Sequence, residues 1–153
     1  MTVPLRLLAL PLLLVLGVST LIGCSPDRSS YYGDFHPLEV YHVKQDLLLE
    51  PTGAWTHDPD TDAEIPLYGV LPAAGATHEQ QAHAMATLAT GTTIKIIGAF
   101  KNVNQSSHTY GWVDIRARVL DGPSEGRITS IAKIAGDDPT HRHPDPRYLE
   151  RQP

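Results

Sequence analysis

Five groups of residues have the types from which catalytic or binding chemistry is built, and spacing decides among them. Gly122-Pro123-Ser124-Glu125-Gly126 has the form G-x-S-x-G. That pattern raises a nucleophilic serine only where a strained turn joins a parallel strand to a helix. Here it follows an alternating strand and is preceded by Asp121, the composition of an ordinary β-turn, so an esterase acting through Ser124 is the weakest reading. His78-Glu79-Gln80-Gln81-Ala82-His83 is one residue longer than the H-E-x-x-H zinc pair. A spacing of five separates the imidazoles by about 140° around a helix, against about 40° for a spacing of four, so they cannot share one zinc. Glu79 and His83 remain an i, i+4 surface pair. Asp58, Asp60 and Asp62 are spaced like the opening of a calcium loop, but Ala63 and Gly69 stand where that loop needs Gly and Glu. Of eight histidines, His141 and His143 flank Arg142, and His36 and His42 lie near the start of the mature chain. Together with the acidic loop they define a rival reading as a metal-binding protein of the envelope. No cofactor and no catalytic constellation are expected.

The fifth group is Tyr110, Trp112, Arg116 and Arg118, which share one parity along the segment Tyr110–Leu120. Aromatic rings beside guanidiniums suit a protein or glycan partner, because Trp, Tyr and Arg dominate interface energetics. They are the expected partner-binding residues, unless a helix or the 50–76 segment covers that face.

The elements that must position these residues are mostly strands. Val113, Ile115, Ala117 and Val119 point one way while Asp114, Arg116 and Arg118 point the other, the pattern of an antiparallel strand with one wet face. Thr92–Phe100 alternates with Ile94, Ile96 and Phe100 on one face and Gly98 allowing a bulge. Leu38–Leu49 reads as a first strand and Leu67–Leu71 as a second, with Glu50–Pro66 a long surface loop marked by Pro51, Gly53, Pro59 and Pro66. Thr77–Ala89 is the helix candidate, opened by a capping box of Thr77 and Gln80. Arg127–Ile134, with Ile128, Ile131 and Ile134 every three residues, suits a turn of 3₁₀ or α-helix as well as a strand. The expected fold is mainly β, a small, partly open barrel with one short helix, with an α+β arrangement as the alternative.

The apolar residues are unevenly spread. Nine of the eighteen leucines fall in the first 23 positions, behind a single charge at Arg6, as in a secretory leader. The apolar run Leu7–Ile22 is shorter than the roughly 20 residues a membrane-spanning helix needs. Without Arg6 the chain carries a net charge of −6, which gives no reason to expect nucleic acid. Segment 24–36 is polar and reads as a tether, 37–135 as the β-rich module, and 136–153, with four prolines, as a disordered tail.

Leu21-Ile22-Gly23-Cys24 resembles the lipobox of bacterial lipoproteins. The resemblance implies removal of residues 1–23 as a signal peptide, a thioether-linked diacylglycerol on Cys24 and an acylated new N-terminus. Ser25, where Asp marks inner-membrane retention, implies an outer-membrane lipoprotein facing the periplasm. Cys24 is the only cysteine, so no disulfide within the chain is possible. Residues 88–128, with LATGTTIKIIGAF and GWVDIRARVLDGPSEGR, resemble bacterial SH3-like barrels. The expected protein is a lipid-anchored, non-enzymatic interaction module of the envelope whose partner is a protein, peptidoglycan or an inhibited toxin or enzyme.

Overall fold

Alternation along one strand, β6 (Val113–Val119), divides the molecule into two faces. Val113, Ile115, Ala117 and Val119 are buried in the main core, and the intervening residues look out onto a second, polar layer. The computed structural model describes residues 32–101, 113–139 and 141–153. Cys24, the leader and both Tyr110 and Trp112 lie outside the described residues.

The other strands are β1 (Val40–Val43), β2 (Leu47–His57), β3 (Glu64–Pro72), β4 (Ala86–Leu88), β5 (Thr93–Lys101), β7 (Ile128–Ser130) and β8 (Leu149–Arg151). Among the described residues they form one sheet in the order β4-β2-β3-β7-β6-β5-β1-β8, in which only β3 and β7 pair in parallel. The sheet curls into a half-barrel, so the chain is mainly β, with one short α-helix, α1 (His78–His83), among the described residues. The concave side holds the core, where Tyr41, Leu47, Leu49, Ile94, Ile96 and Ile131 are essentially sealed from solvent. Each such side chain contributes about 1.5–3 kcal/mol through burial.

Several segments depart from their expected form. Leu38–Leu49 is two strands, because Lys44-Gln45-Asp46 sends its polar groups to other parts of the chain: Lys44 Nζ donates to Pro146 O at 2.8 Å, and the Asp46 carboxylate accepts from Thr90 N at 2.9 Å. The 50–66 loop is largely a β2–β3 hairpin, with only residues 58–63 left as its turn. A bulge between Pro51 and Trp55 absorbs the offending residues, where Gly53 adopts φ 73° and Thr52 Oγ1 donates to Leu67 O at 2.6 Å. The Thr77 capping box forms as expected, yet α1 stops at His83. None of its residues is buried, whereas Leu88 becomes 2% exposed by joining β4 against β2, so packing overrides helix propensity. Arg127–Ile134 contains both forms in series, β7 and then a 3₁₀ turn at Ala132–Ile134.

The ends correct the expected boundaries. Phe35, placed in the tether, is fully buried and meets the Tyr41 ring edge-on at 5.6 Å. Residues 141–153, in the segment expected to be disordered, add to the sheet: β8 pairs with β1 at its edge, and the buried Arg142 guanidinium donates to Val113 O, Ala132 O and Gly136 O at 3.0–3.2 Å. Asp34 N in turn donates to Arg142 O at 2.9 Å. Four prolines remove few needed donors when side chains and short pairings satisfy the remaining backbone.

Candidate functional site

The polar face of β6 is the best-built cluster of functional side chains, and the bulged β2–β3 hairpin completes it. By bending at residues 52–54, the hairpin carries Thr56, Asp58 and Asp60 back over β6. Arg118 forks onto Asp58, with Nη2 2.5 Å from Oδ1 and Nη1 3.2 Å from Oδ2, and Nη2 also lies 3.1 Å from Asp60 Oδ2. Arg116 Nε donates to Asp114 Oδ2 at 3.2 Å, its Nη1 donates to Thr56 Oγ1, and Ser130 Oγ donates to the other Asp114 oxygen. The Arg118 fork, helped by the Asp60 N–H, lowers the Asp58 carboxyl to about 2 and raises Arg118 in return.

This face is therefore roofed where alternation alone predicts it wet. The Arg116 and Arg118 side chains are only 17% and 15% exposed, and each is neutralised by carboxylates. Two guanidiniums held this way are a clamp between hairpin and sheet. The covering element is part of the 50–76 segment, acting as strand and turn.

The clamp presents one aromatic group. Phe100 is 37% exposed, and the Arg116 guanidinium stacks 3.7 Å from its ring centroid. The expectation that Phe100 shares the core face with Ile94 and Ile96 is overturned by the β5 bulge between Ile96 and Gly98. The extra residue, Ile97, reverses the parity, so Ala99 is buried and Phe100 turns outward. A Cβ at Gly98 would lie 2.7 Å from the Phe100 ring, so a side chain there would displace the ring from its stacked position. That glycine, two residues before an aromatic in an alternating strand, is the signal in the sequence. Phe100 pairs with Asp114 and Lys101 with Val113, the last described pairs before residues 102–112, which carry Tyr110 and Trp112.

The remaining candidates are dispersed. Ser124 is 2% exposed in the turn between antiparallel β6 and β7, and its hydroxyl has no hydrogen-bond partner among the described residues. Asp58 and Asp60 are engaged by Arg118, while Asp62 lies 3.9 Å from His57 Nδ1. Glu79 and His83 form the anticipated exposed pair at 4.0 Å. His141 pairs with Asp34 at 3.1 Å, whereas the His143 ring lies over Gly136. His42, 3.4 Å from Thr93 Oγ1, lines a shallow groove of about 400 Å³ with Lys44, Thr90 and Glu150. Among the described residues no three His, Cys, Asp or Glu side chains converge as a metal site, and no helix is long and apolar enough to cross a membrane. Comparison with family models, curated proteins and solved structures finds no match to this chain.

Proposed function

We propose that this chain is a lipid-anchored interaction module of the bacterial envelope, attached through Cys24, at the outer membrane and facing the periplasm. It binds a protein or glycan partner at the Phe100–Arg116 end of β5 and β6 and carries out no chemistry on it. The observation that supports this reading is an exposed ring stacked on a guanidinium that is itself fixed by Asp114 and Thr56. Rigid aromatic and Arg groups lose little conformational entropy on binding, which makes them effective anchors. Arg116 and Arg118 support this candidate surface, and Tyr110 and Trp112, expected from the sequence to bind the partner, belong to the connection between β5 and β6. The buried Ser124 hydroxyl argues against hydrolysis. The Arg118 fork on Asp58 and Asp60 argues against a calcium loop.

Affinity capture from envelope extracts, run beside binding of soluble peptidoglycan fragments, tests the surface. Phe100→Ala is expected to reduce capture of the bound partner by at least tenfold, corresponding to an anchor worth about 1.4 kcal/mol or more, with an unchanged circular-dichroism spectrum. Equal capture by Phe100→Ala and the parent protein refutes the assignment. Cys24→Ser is expected to abolish lipid labelling and to leave the leader uncleaved.

A further inference from the structure

Leu38 combines two properties rarely found together. Its side chain is 68% exposed, and its φ of 69° lies in the left-handed region that a Cβ disfavours. The conformation is enforced from several sides. Leu38 N donates to Ile96 O at 2.9 Å, His36 N donates to Glu39 Oε2 at 2.9 Å, and Glu39 N donates to His36 O at 3.3 Å. Glu39 is held in turn by Tyr41 Oη at 2.6 Å and Arg151 Nη2 at 2.6 Å. All this structure displays a leucine that leaves most of its surface in solvent. Pro37 beside it is exposed, and the adjacent bulge residue Ile97 is half-buried outside the core. Strained backbone held by its surroundings is a mark of a working surface.

The chain itself indicates what meets this surface. Phe35 is locked in the core, so the module is gripped from Tyr32 onward. Only eight residue steps separate Cys24 from Tyr32, a span of at most about 29 Å when fully extended. The Tyr32–Leu38 end is thus the part of the module that a lipid on Cys24 keeps beside the bilayer. We propose that Pro37, Leu38 and Ile97 rest on the surface of the membrane that holds the lipid, with the Leu38 side chain entering the interfacial layer. This rests on the lipid-anchor reading and adds an orientation to it: the module lies against the bilayer, and the Phe100–Arg116 end meets its partner at headgroup level. Because the tether makes the second contact intramolecular, a small apolar area suffices to bias the module toward the surface.

The lone cysteine makes the test clean. In Leu38→Cys protein purified from membranes, Cys24 carries lipid and the new thiol alone accepts a nitroxide. The lipidated protein is reconstituted in vesicles of phosphatidylethanolamine and phosphatidylglycerol and compared with Thr87→Cys on β4, at the opposite edge of the sheet. The expected result is a label at 38 reached by oxygen and shielded from aqueous nickel, with the reverse at 87. A label at 38 as accessible to nickel as the one at 87 overturns the proposal. So does a label shielded from both reagents, which indicates a protein contact. Labelling of Cys24 itself refutes the lipid anchor, and the proposal with it. As a second measurement, a nitroxide at His36→Cys is expected to lose its oxygen contact when Leu38→Gly is added, while the thermal midpoint holds or rises because glycine accepts the left-handed backbone. Retained oxygen contact in that variant also overturns the proposal.

Discussion

The two faces of β6 are built on opposite principles. Toward the core, Ile115 and Ala117 are held by shape and burial alone, and any apolar group of similar volume satisfies the site. Toward the hairpin, Arg116 and Arg118 are held by named partners, Thr56, Asp114, Asp58 and Asp60, whose fork geometry no other residue type reproduces. One strand thus carries a tolerant face that supplies stability and a fastidious face that fixes where the hairpin sits. The lesson is that a guanidinium on an alternating strand does not by itself mark a free binding surface; the question is whether a bent neighbour can reach it.

Three measurements can break or sharpen that contrast. Ile115→Ala is expected to have the largest effect, a loss of about 2–5 kcal/mol in denaturant unfolding, while Ile115→Val costs about 0.5–1.5 kcal/mol; equal losses from the two would show that the core face is not shape-tolerant. Asp58→Asn comes next and acts through charge. The Asp58 carboxyl is lowered to about 2 in the folded protein from an ordinary value of 3.8. Its stabilising contribution is therefore present above pH 4 and lost as the pH falls from about 4 to about 2. The parent protein should lose part of its stability over that window, and Asp58→Asn should be less stable at neutral pH with a shallower acid limb. An identical acid limb in both would mean that the Arg118 fork does not couple hairpin to sheet. The smallest effect is expected for Glu79→Gln, since an exposed i, i+4 pair contributes about 0.3–0.5 kcal/mol; a larger loss would give α1 a structural role that its exposed face does not suggest.

How much of this was legible depended on how local the cause was. The alternation of Val113–Val119, the Thr77–Gln80 capping box and the Asp121–Gly126 turn were readable because neighbouring residues determine them. The hairpin was not, because Pro51, Gly53 and Pro66 look like a loop until a bulge is known to absorb them. Phe100 lies on the face opposite to the one its alternation predicts, since one inserted position inverts every side chain after it. The C-terminal segment was the hardest to read: its order comes from Arg142 and a three-residue pairing with β1 more than a hundred positions away, and neither leaves a periodic trace. The clamp was half visible, because Arg116 and Arg118 stood out while their partners lay about sixty residues upstream.

The parallel pairing of β3 with β7 has a kinetic meaning. The β2–β3 and β5–β6 pairs are each antiparallel neighbours in sequence and can zip locally, but the seam of Leu67–Gly69 against Ile128–Ser130 closes a loop of about sixty residues. Until that seam forms, the facing edges of β3 and β7 are left bare. Before that seam closes, unpaired strand edges are most exposed to one another and to other chains, so the speed of its closure sets how long the chain is open to misassembly.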